Sequence, residues 1–263
     1  MFSNRLLQPV LALAFAVTCL LGSTPSSPAG DWSKIRIGTE GSYAPFNYID
    51  SAGQLRGLDI DIVRALCAKM AATCEFITMQ QEALILALQE NRVDAVATSL
   101  SITEKRKKIM DFTDKYYTNY RRFISCAGRL VENTSPEGLK GHTVGTQGGT
   151  ASDDYLEAFY KNADLRLYKS MDEAYQDLAA GRLDAVLVSE AASYAFMQTE
   201  AGKNCKFVGE RVANEKLFGS GVGIALRKTD TDLRDKLNAA LKQILADGTY
   251  EAITKKYFPF PIY

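Results

Sequence analysis

The eight residues RVDAVATS at 92–99 return as RLDAVLVS at 182–189, and this repetition constrains the fold more than any other feature of the chain. It reaches beyond those eight residues. KIRIGTEGSY, holding Ile37-Gly38-Thr39-Glu40-Gly41, precedes the first copy, and GHTVGTQGGT, holding Val144-Gly145-Thr146-Gln147-Gly148, precedes the second. A helical stretch also leads into each copy, EALILALQEN in one case and MDEAYQDLAAG in the other. The order strand, helix, strand, helix, strand is thus written twice, with related residues at matching ends. Two copies are too few for a solenoid, whose units need several stacked neighbours. Two related lobes fit the repeat, and 263 residues are enough for about two domains.

The hydrophobic pattern supplies the elements. Residues 34–39 alternate as a strand does, and the Pro- and Gly-punctuated stretch 41–57 reads as loop or hairpin. From Asp59 to Met70, Ile62, Val63, Leu66 and Met70 recur at helical spacing. Strands are expected at Cys74–Met79 and Asp94–Thr98, with a helix at Glu82–Glu90 between them. A short helix in SITEKRKKI follows, opened by a Ser-x-x-Glu capping pattern. In the second half, strands at 143–146, 165–168 and 184–188 alternate with helices at 151–160 and 171–180. Short strands at Lys206–Val208 and Gly221–Leu226 precede a helix from Asp232 that stops and restarts at Asp247-Gly248. Strands alternating with helices imply parallel sheets, and such sheets bind ligands beyond the carboxyl ends of their strands. Polar residues stand at that edge in both halves: Glu40, Thr98 and Ser99 in one, Gln147, Thr150 and Ser189 in the other. A single serine ending a buried strand means little. The same pattern in both halves predicts a cleft with hydrogen-bonding walls.

Charge and cysteine content narrow the classes. Basic and acidic residues balance at 31 each, so neither nucleic acid nor an acidic membrane surface is implied as a partner. Residues 1–29 carry Arg5, the apolar run Pro9–Leu21 and a small, polar segment, the pattern of a secretory signal cleaved after Ala29. That run is too short to span a bilayer, and no later stretch is a candidate, so an exported, soluble monomer is expected. Beyond Cys19, in the signal, four cysteines remain: Cys67, Cys74, Cys126 and Cys205. In an oxidising compartment disulfides are their default state. The cysteine spacing and the single histidine, His142, argue against a metal site and against a Ser-His-Asp hydrolase.

GLDIDIVRALCAKM (57–70) resembles the signature of the polar amino-acid-binding proteins of bacterial ABC importers, solute-binding protein family 3. GTEGSYAPF, TSLSITEKRKK, VGTQGGT, AGRLDAV and DGTYEAITKKYF resemble the same family in order, so the likeness covers residues 31–260. It points to the branch that binds lysine, arginine, ornithine and histidine, together with the opine binders. The resemblance implies a type II periplasmic-binding fold: two α/β lobes, residues 31–117 with 224–263 and residues 118–223, joined by two crossing strands. It implies a small-molecule ligand, a periplasmic location, an inner-membrane permease as partner and no cofactor. It places the ligand's carboxylate on Arg106, helped by Ser101, Thr98 and Thr150. A guanidinium suits that task, being planar, permanently charged and bidentate. Lys105, Lys107 and Lys108 are read as a solvated face. Tyr43 would wall the ligand's aliphatic part, and Glu40 would face a distal positive group.

Two positions depart from the family pattern. Ser189 stands where amino-acid binders carry an aspartate for the ligand's ammonium, and Gln81 stands where an aromatic ring stacks. Glu40 with Ser189 looks more like the opine binders, whose substituted nitrogen bears a second carboxylate arm. The resemblance also pairs Cys67 with Cys74. In the family's second lobe the strands RRFISC and KFVGE would be antiparallel neighbours, which pairs Cys126 with Cys205. The competing expectation is an exported enzyme on the same scaffold, similar to the cyclohexadienyl dehydratases. Such an enzyme needs a cleft acid, for which Glu40 and Glu190 are the candidates.

Overall fold

The computed structural model describes residues 31–263, so the expected signal at 1–29 lies outside the described residues. The chain opens with β1 (Lys34–Thr39) and a small meander, β2 (Ser42–Tyr43), β3 (Asn47–Ile49) and β4 (Leu55–Arg56). There follow α1 (Leu58–Lys69), β5 (Thr73–Thr78), α2 (Gln81–Gln89), β6 (Ala95–Val96), α3 (Glu104–Lys107) and β7 (Asp111–Phe112). The second unit holds β8 (Arg121–Cys126), β9 (Thr143–Gln147), α4 (Ala151–Phe159), β10 (Asp164–Tyr168) and α5 (Met171–Ala179). It continues with β11 (Ala185–Ser189), α6 (Glu190–Met197), β12 (Cys205–Val212) and α7 (Glu215–Phe218). The chain then returns to the first sheet with β13 (Ala225–Leu226) and closes on α8 (Thr231–Ala246) and α9 (Thr249–Thr254).

The two large sheets share a plan. One runs β5-β1-β6-β13-β7, the other β10-β9-β11-β8-β12. In each, the first three strands are parallel and the fourth is antiparallel to its neighbours. The repeat sits at the same register in both: Ala95 lies opposite Ile37, and Ala185 opposite Val144. The repeated aspartate does the same work twice. Asp94 accepts from the backbone N–H of Arg36 at 2.9 Å, and Asp184 from that of Thr143 at 2.8 Å, each fixing the start of a central strand. The repeated glycine has a packing reason. A Cβ on Gly38 would lie 3.3 Å from Val93 and 2.9 Å from Leu84, and one on Gly145 would lie 2.5 Å from Leu183. Val93 and Leu183 occupy one position of the repeat, so each central strand stays bare where its partner's branched side chain crosses it.

Around the first sheet, Ile35 and Ile37 of β1 meet Leu58, Ile62 and Leu66 of α1 and Leu237, Leu241 and Ile244 of α8 in one buried core. In the second, Val144, Leu156, Tyr160 and Leu187 form a separate cluster. Two antiparallel crossings join the sheets: Val222 bridges Tyr117, with N–H bonds running from Val222 to Tyr117 and from Tyr116 back to Val222.

Several local expectations shift. The strand expected over 94–98 is confined to β6, and that over 221–226 to β13, because Val222 is held instead by isolated bridges to Ser101 and Tyr117. The short helix is capped by Thr103, not Ser101; the Thr103 hydroxyl accepts from the N–H of Arg106 at 3.3 Å. β12 runs four residues past the expected Val208, and α6 and α7 stand where the pattern suggested no element.

The cysteines pair as Cys67–Cys74 and Cys126–Cys205. Cys126 and Cys205 are directly opposed on antiparallel β8 and β12, and Ala127 N–H bonds the Asn204 carbonyl beyond them. That makes them a non-hydrogen-bonded pair, the position where opposed strands approach most closely. Their Cα atoms lie 3.8 Å apart, nearer than the ~4.4–6.8 Å usual for a disulfide.

Candidate functional site

Residues at and just past the carboxyl ends of β6, β9 and β11, with Tyr43 of β2 and Arg106 of α3, line a polar cavity between the sheets. Nine of the ten residues singled out in the sequence line it: Tyr43, Gln81, Thr98, Ser99, Ser101, Arg106, Gln147, Thr150 and Ser189. Glu40 does not. It is buried just past the end of β1, where its Oε1 accepts from Ser42 Oγ at 3.0 Å and from Gln147 Nε2 at 2.6 Å. Its Oε2 is buried with no hydrogen-bond partner among the described residues. Burial pushes the Glu40 carboxyl up to about 7; the bonds from Ser42 and Gln147 oppose this, and the charges of Glu82 and Asp172 reinforce it. Gln147, which lines the cavity, takes one oxygen of the acid, so Glu40 stands one residue behind the wall.

Arg106 sits in α3, where the Thr103 cap and one turn of helix carry it inward; it is 9 % exposed. Its NH1 donates to the Ser101 carbonyl at 3.1 Å and its NH2, across the cleft, to the Gly149 carbonyl at 3.2 Å. No ion pair is recorded for it among the described residues. Burial pushes its guanidinium down to about 10, against the pull of Asp154 and with a push from Arg121. Such a group gains from a carboxylate brought to it, because buried charge is costly until paired. Asp154 is engaged elsewhere: Lys105 reaches across to it at 2.5 Å. Lys105, expected to be merely solvated, thus bridges α3 to α4, whereas Lys107 pairs with neighbouring Glu104 and Lys108 is exposed.

Arg121 was not foreseen. It opens β8, is 6 % exposed, and lines the same cavity. It donates from Nε to Ser152 Oγ at 3.1 Å, from NH1 to the Asn119 carbonyl at 3.2 Å and from NH2 to Ser101 Oγ at 3.1 Å. Burial lowers its pKa, and no ion pair is recorded for it among the described residues. The signal was the pair Arg121-Arg122 at the head of a strand, where successive side chains take opposite faces. Arg122 takes the other face, over the Phe207 ring at 4.7 Å. Only the tertiary fold tells which of the two turns inward.

The hydroxyls are more committed than the sequence suggests. Thr150 caps α4, accepting from Asp153 N–H at 3.3 Å, and gives its own proton to the Gln147 carbonyl at 2.8 Å. A hydroxyl has one proton to donate, so in this arrangement Thr150 cannot also donate to a carboxylate. Thr98 Oγ1 accepts from Glu40 N–H at 3.2 Å and keeps its proton. Ser101 Oγ likewise accepts from Arg121. Ser189 caps α6 by accepting from Ala192 N–H at 3.3 Å. Ser99, in the left-handed region at φ 56°, accepts from Tyr117 OH at 2.6 Å. Tyr43 stacks on Phe46 with centroids 5.3 Å apart, and burial raises its phenol to about 12. Gln81 opens α2 and contributes no aromatic wall. Glu190 pairs with Arg211 at 2.5 Å and Arg122 at 3.8 Å outside the lining, so it does not replace the acid missing at Ser189.

A buried layer holds the site in shape. Asp59 of α1 accepts from Tyr116 OH at 2.7 Å and from Asn47 Nδ2 at 2.9 Å, and Asn47 Oδ1 accepts from Gly41 N–H at 3.0 Å. This chain fixes the turn that follows Glu40. Among the described residues no cluster of three or more His, Cys, Asp or Glu is placed to hold a metal, and no helix is long and apolar enough to cross a membrane.

The sequence and the fold both recur in known proteins. The histidine-binding periplasmic protein of Salmonella typhimurium is 40% identical over 256 residues, covering 96% of this chain and 98% of that one. The lysine/arginine/ornithine-binding periplasmic protein of Escherichia coli is 40% identical over 259 residues, covering 97% and 98%. Among solved structures, a Salmonella typhimurium periplasmic binding protein described for its high arginine specificity superimposes with a TM-score of 0.80 at 30% identity, covering 86% of this chain and 99% of that one. The family description "bacterial extracellular solute-binding proteins, family 3" matches residues 35–260, and the chain belongs to that family.

Proposed function

We propose that the protein is the periplasmic solute-binding subunit of an ABC importer. It captures a cationic amino acid of the arginine, lysine, ornithine or histidine type, or an N-substituted opine derivative, and delivers it to an inner-membrane permease. Arg106 carries the reading: a buried guanidinium, bonded among the described residues only to two backbone carbonyls, in a cavity between two α/β units. A ligand carboxylate is the partner such a fork accepts in two parallel hydrogen bonds. Residues 31–117 with 224–263 act as one lobe and 118–223 as the other. A ligand that touches Thr98 and Ser101 on one side and Gln147 and Ser189 on the other stabilises the closed form, which the permease reads. Glu40, working with Gln147, attracts the ligand's distal cation. The names of the two relatives, which bind histidine and lysine, arginine or ornithine, support the ligand class.

An enzyme of the dehydratase type would need an acid in contact with substrate. The residues lining the cavity include no Asp or Glu, which favours binding over chemistry. Titration calorimetry on refolded, ligand-free protein tests both readings. Arginine, lysine, ornithine or histidine should bind, and arginine should bind more tightly than neutral citrulline. Equal affinity for arginine and citrulline removes the cationic-ligand reading. Turnover of prephenate or arogenate replaces binding with catalysis.

A further inference from the structure

Donors and positive charge dominate the cavity where Arg106 and Arg121 meet. Arg106 NH1 bonds the Ser101 carbonyl and Arg121 NH2 the Ser101 hydroxyl, each at 3.1 Å. The Ser101 and Ser152 hydroxyls accept from Arg121, that of Thr98 from Glu40 N–H, that of Ser99 from Tyr117 OH and that of Ser189 from Ala192 N–H. In each of these bonds the hydroxyl is the acceptor, and its own proton is left to give. Four helices also begin at the cavity. Gln81, Ala151 and Met171 are the first residues of α2, α4 and α5, Ser189 caps α6, and all four line the wall. Helix N-termini carry partial positive charge. On the acceptor side the wall offers the neutral amides of Gln81 and Gln147 and the phenol of Tyr43, and no Asp or Glu among the described residues lines it. Asp59, one layer down, is bonded by Tyr116 and Asn47, and Glu40 stands behind Gln147. A carboxylate fits such surroundings, because it brings acceptors alone. An ammonium on the adjoining carbon brings three donors and another positive charge, which is costly to bury without a counter-charge and is repelled by Arg121.

We infer that the preferred ligand has no charged nitrogen on its α-carbon. The site takes an ω-guanidino or ω-amino carboxylate, its carboxylate between Arg106 and Arg121 and its cation toward Gln147 and Glu40. This rests on the solute-binding reading above and narrows its cationic ligands to those without an α-amine. Arg121 is then the residue that turns the site against α-amino acids.

The test is titration calorimetry of refolded protein with L-arginine and with 5-guanidinopentanoate, which is arginine without its α-amine. Wild-type protein should bind 5-guanidinopentanoate at least about tenfold more tightly. Arg121→Met removes the opposing charge and should narrow that ratio by about tenfold, whereas Arg121→Lys keeps the charge and most of the ratio. Ser189→Asp keeps a good helix cap, adds a counter-charge and should shift the ratio toward arginine. The ratio is the readout because Arg121 also faces the carboxylate, so its truncation weakens both ligands. Residual binding of 5-guanidinopentanoate reports that each variant is folded, and circular dichroism does so independently. Arginine binding at least as tightly as 5-guanidinopentanoate to the wild type overturns the inference while leaving solute binding intact. So does a preference that survives unchanged in both Arg121→Met and Ser189→Asp, since it would not come from charge. Failure of both ligands to bind overturns this inference and the cationic-ligand reading together.

Discussion

The two copies of the repeat agree in what holds a strand and differ in what meets a ligand. Asp94 and Asp184 fix equivalent backbone N–H groups, and Gly38 and Gly145 clear equivalent crossings. Past the strand ends the copies part. Glu40 in one half corresponds to Gln147 in the other, and the two side chains meet across the cleft at 2.6 Å. Ser99 takes a left-handed turn into the segment that leads to α3 and Arg106, whereas Ser189 starts α6 and is followed by Glu190, which faces away to Arg211. A frame can be copied because its constraints are local packing and backbone bonding. A binding cleft needs different groups on its two walls, so its edge residues diverge.

The contrast can be broken at three levels. The largest effect is expected where the segments after the repeated serine differ. Arg106→Ala should weaken ligand binding by about 2–5 kcal/mol, or roughly 30-fold and upward at ~1.4 kcal/mol per tenfold. Glu190→Gln, which only loosens exposed ion pairs, should leave affinity within about twofold. Calorimetry on both variants checks this, and equal effects would remove Arg106 from the clamp.

The next level is the Glu40–Gln147 pair. Burial raises the Glu40 pKa from its ordinary 4.5 to about 7 in the folded ligand-free protein. The folded state therefore holds its proton more tightly than the unfolded chain. The associated stability is present in full below pH ~4.5 and is lost as pH rises through about 7. Relative to Glu40→Gln, wild-type protein should lose about 3 kcal/mol of unfolding free energy across that window, at ~1.36 kcal/mol per pKa unit. Urea titrations of both proteins from pH 4 to pH 8 measure it; parallel profiles would mean that the acid is not desolvated. The aspartates of the frame run the other way. Asp94 feels burial first, but the bonds from Arg36 outweigh it and hold its pKa low, so its stabilising contribution is present above pH ~4 and lost on acidification.

The smallest effect compares the frames themselves. Gly38→Ala and Gly145→Ala should each cost about 1–3 kcal/mol by overpacking. Gly145→Ala should cost more, because its Cβ would fall 2.5 Å from a terminal methyl of Leu183, whereas that of Gly38 would lie 2.9 Å from a terminal methyl of Leu84. Thermal unfolding of the two variants gives the order, and a reversed order would show that β1 is the tighter crossing.

Much of this architecture was legible in one dimension. Strand and helix periods are properties of neighbouring residues, so β1, α1, β5, α2, β9, α4, β10 and α5 fall within a residue of their expected bounds at either end. The repeat named both cleft edges, because residues past a parallel strand end have few places to go. Less legible were elements bounded by distant partners. β6 is short because Thr98 and Ser99 turn away to serve Glu40 and Tyr117, and α6 begins only because Ser189 is free to cap it.

What the sequence by itself determined is the doubled α/β frame, the aspartates and glycines that hold it, and the polar strand ends that face one another. Those follow from alternation, spacing and repetition, all of which are local. The tertiary structure alone decided that Arg121 and not Arg122 turns inward, that Gln147 stands at Glu40, that Thr150 spends its proton on the backbone and that Glu190 points away. Each of those depends on which groups from remote parts of the chain arrive within about 3 Å of one another. A hydrogen bond is won by the partner that is near, and nearness across a cleft is set by the packing of two sheets, not by the order of residues in one.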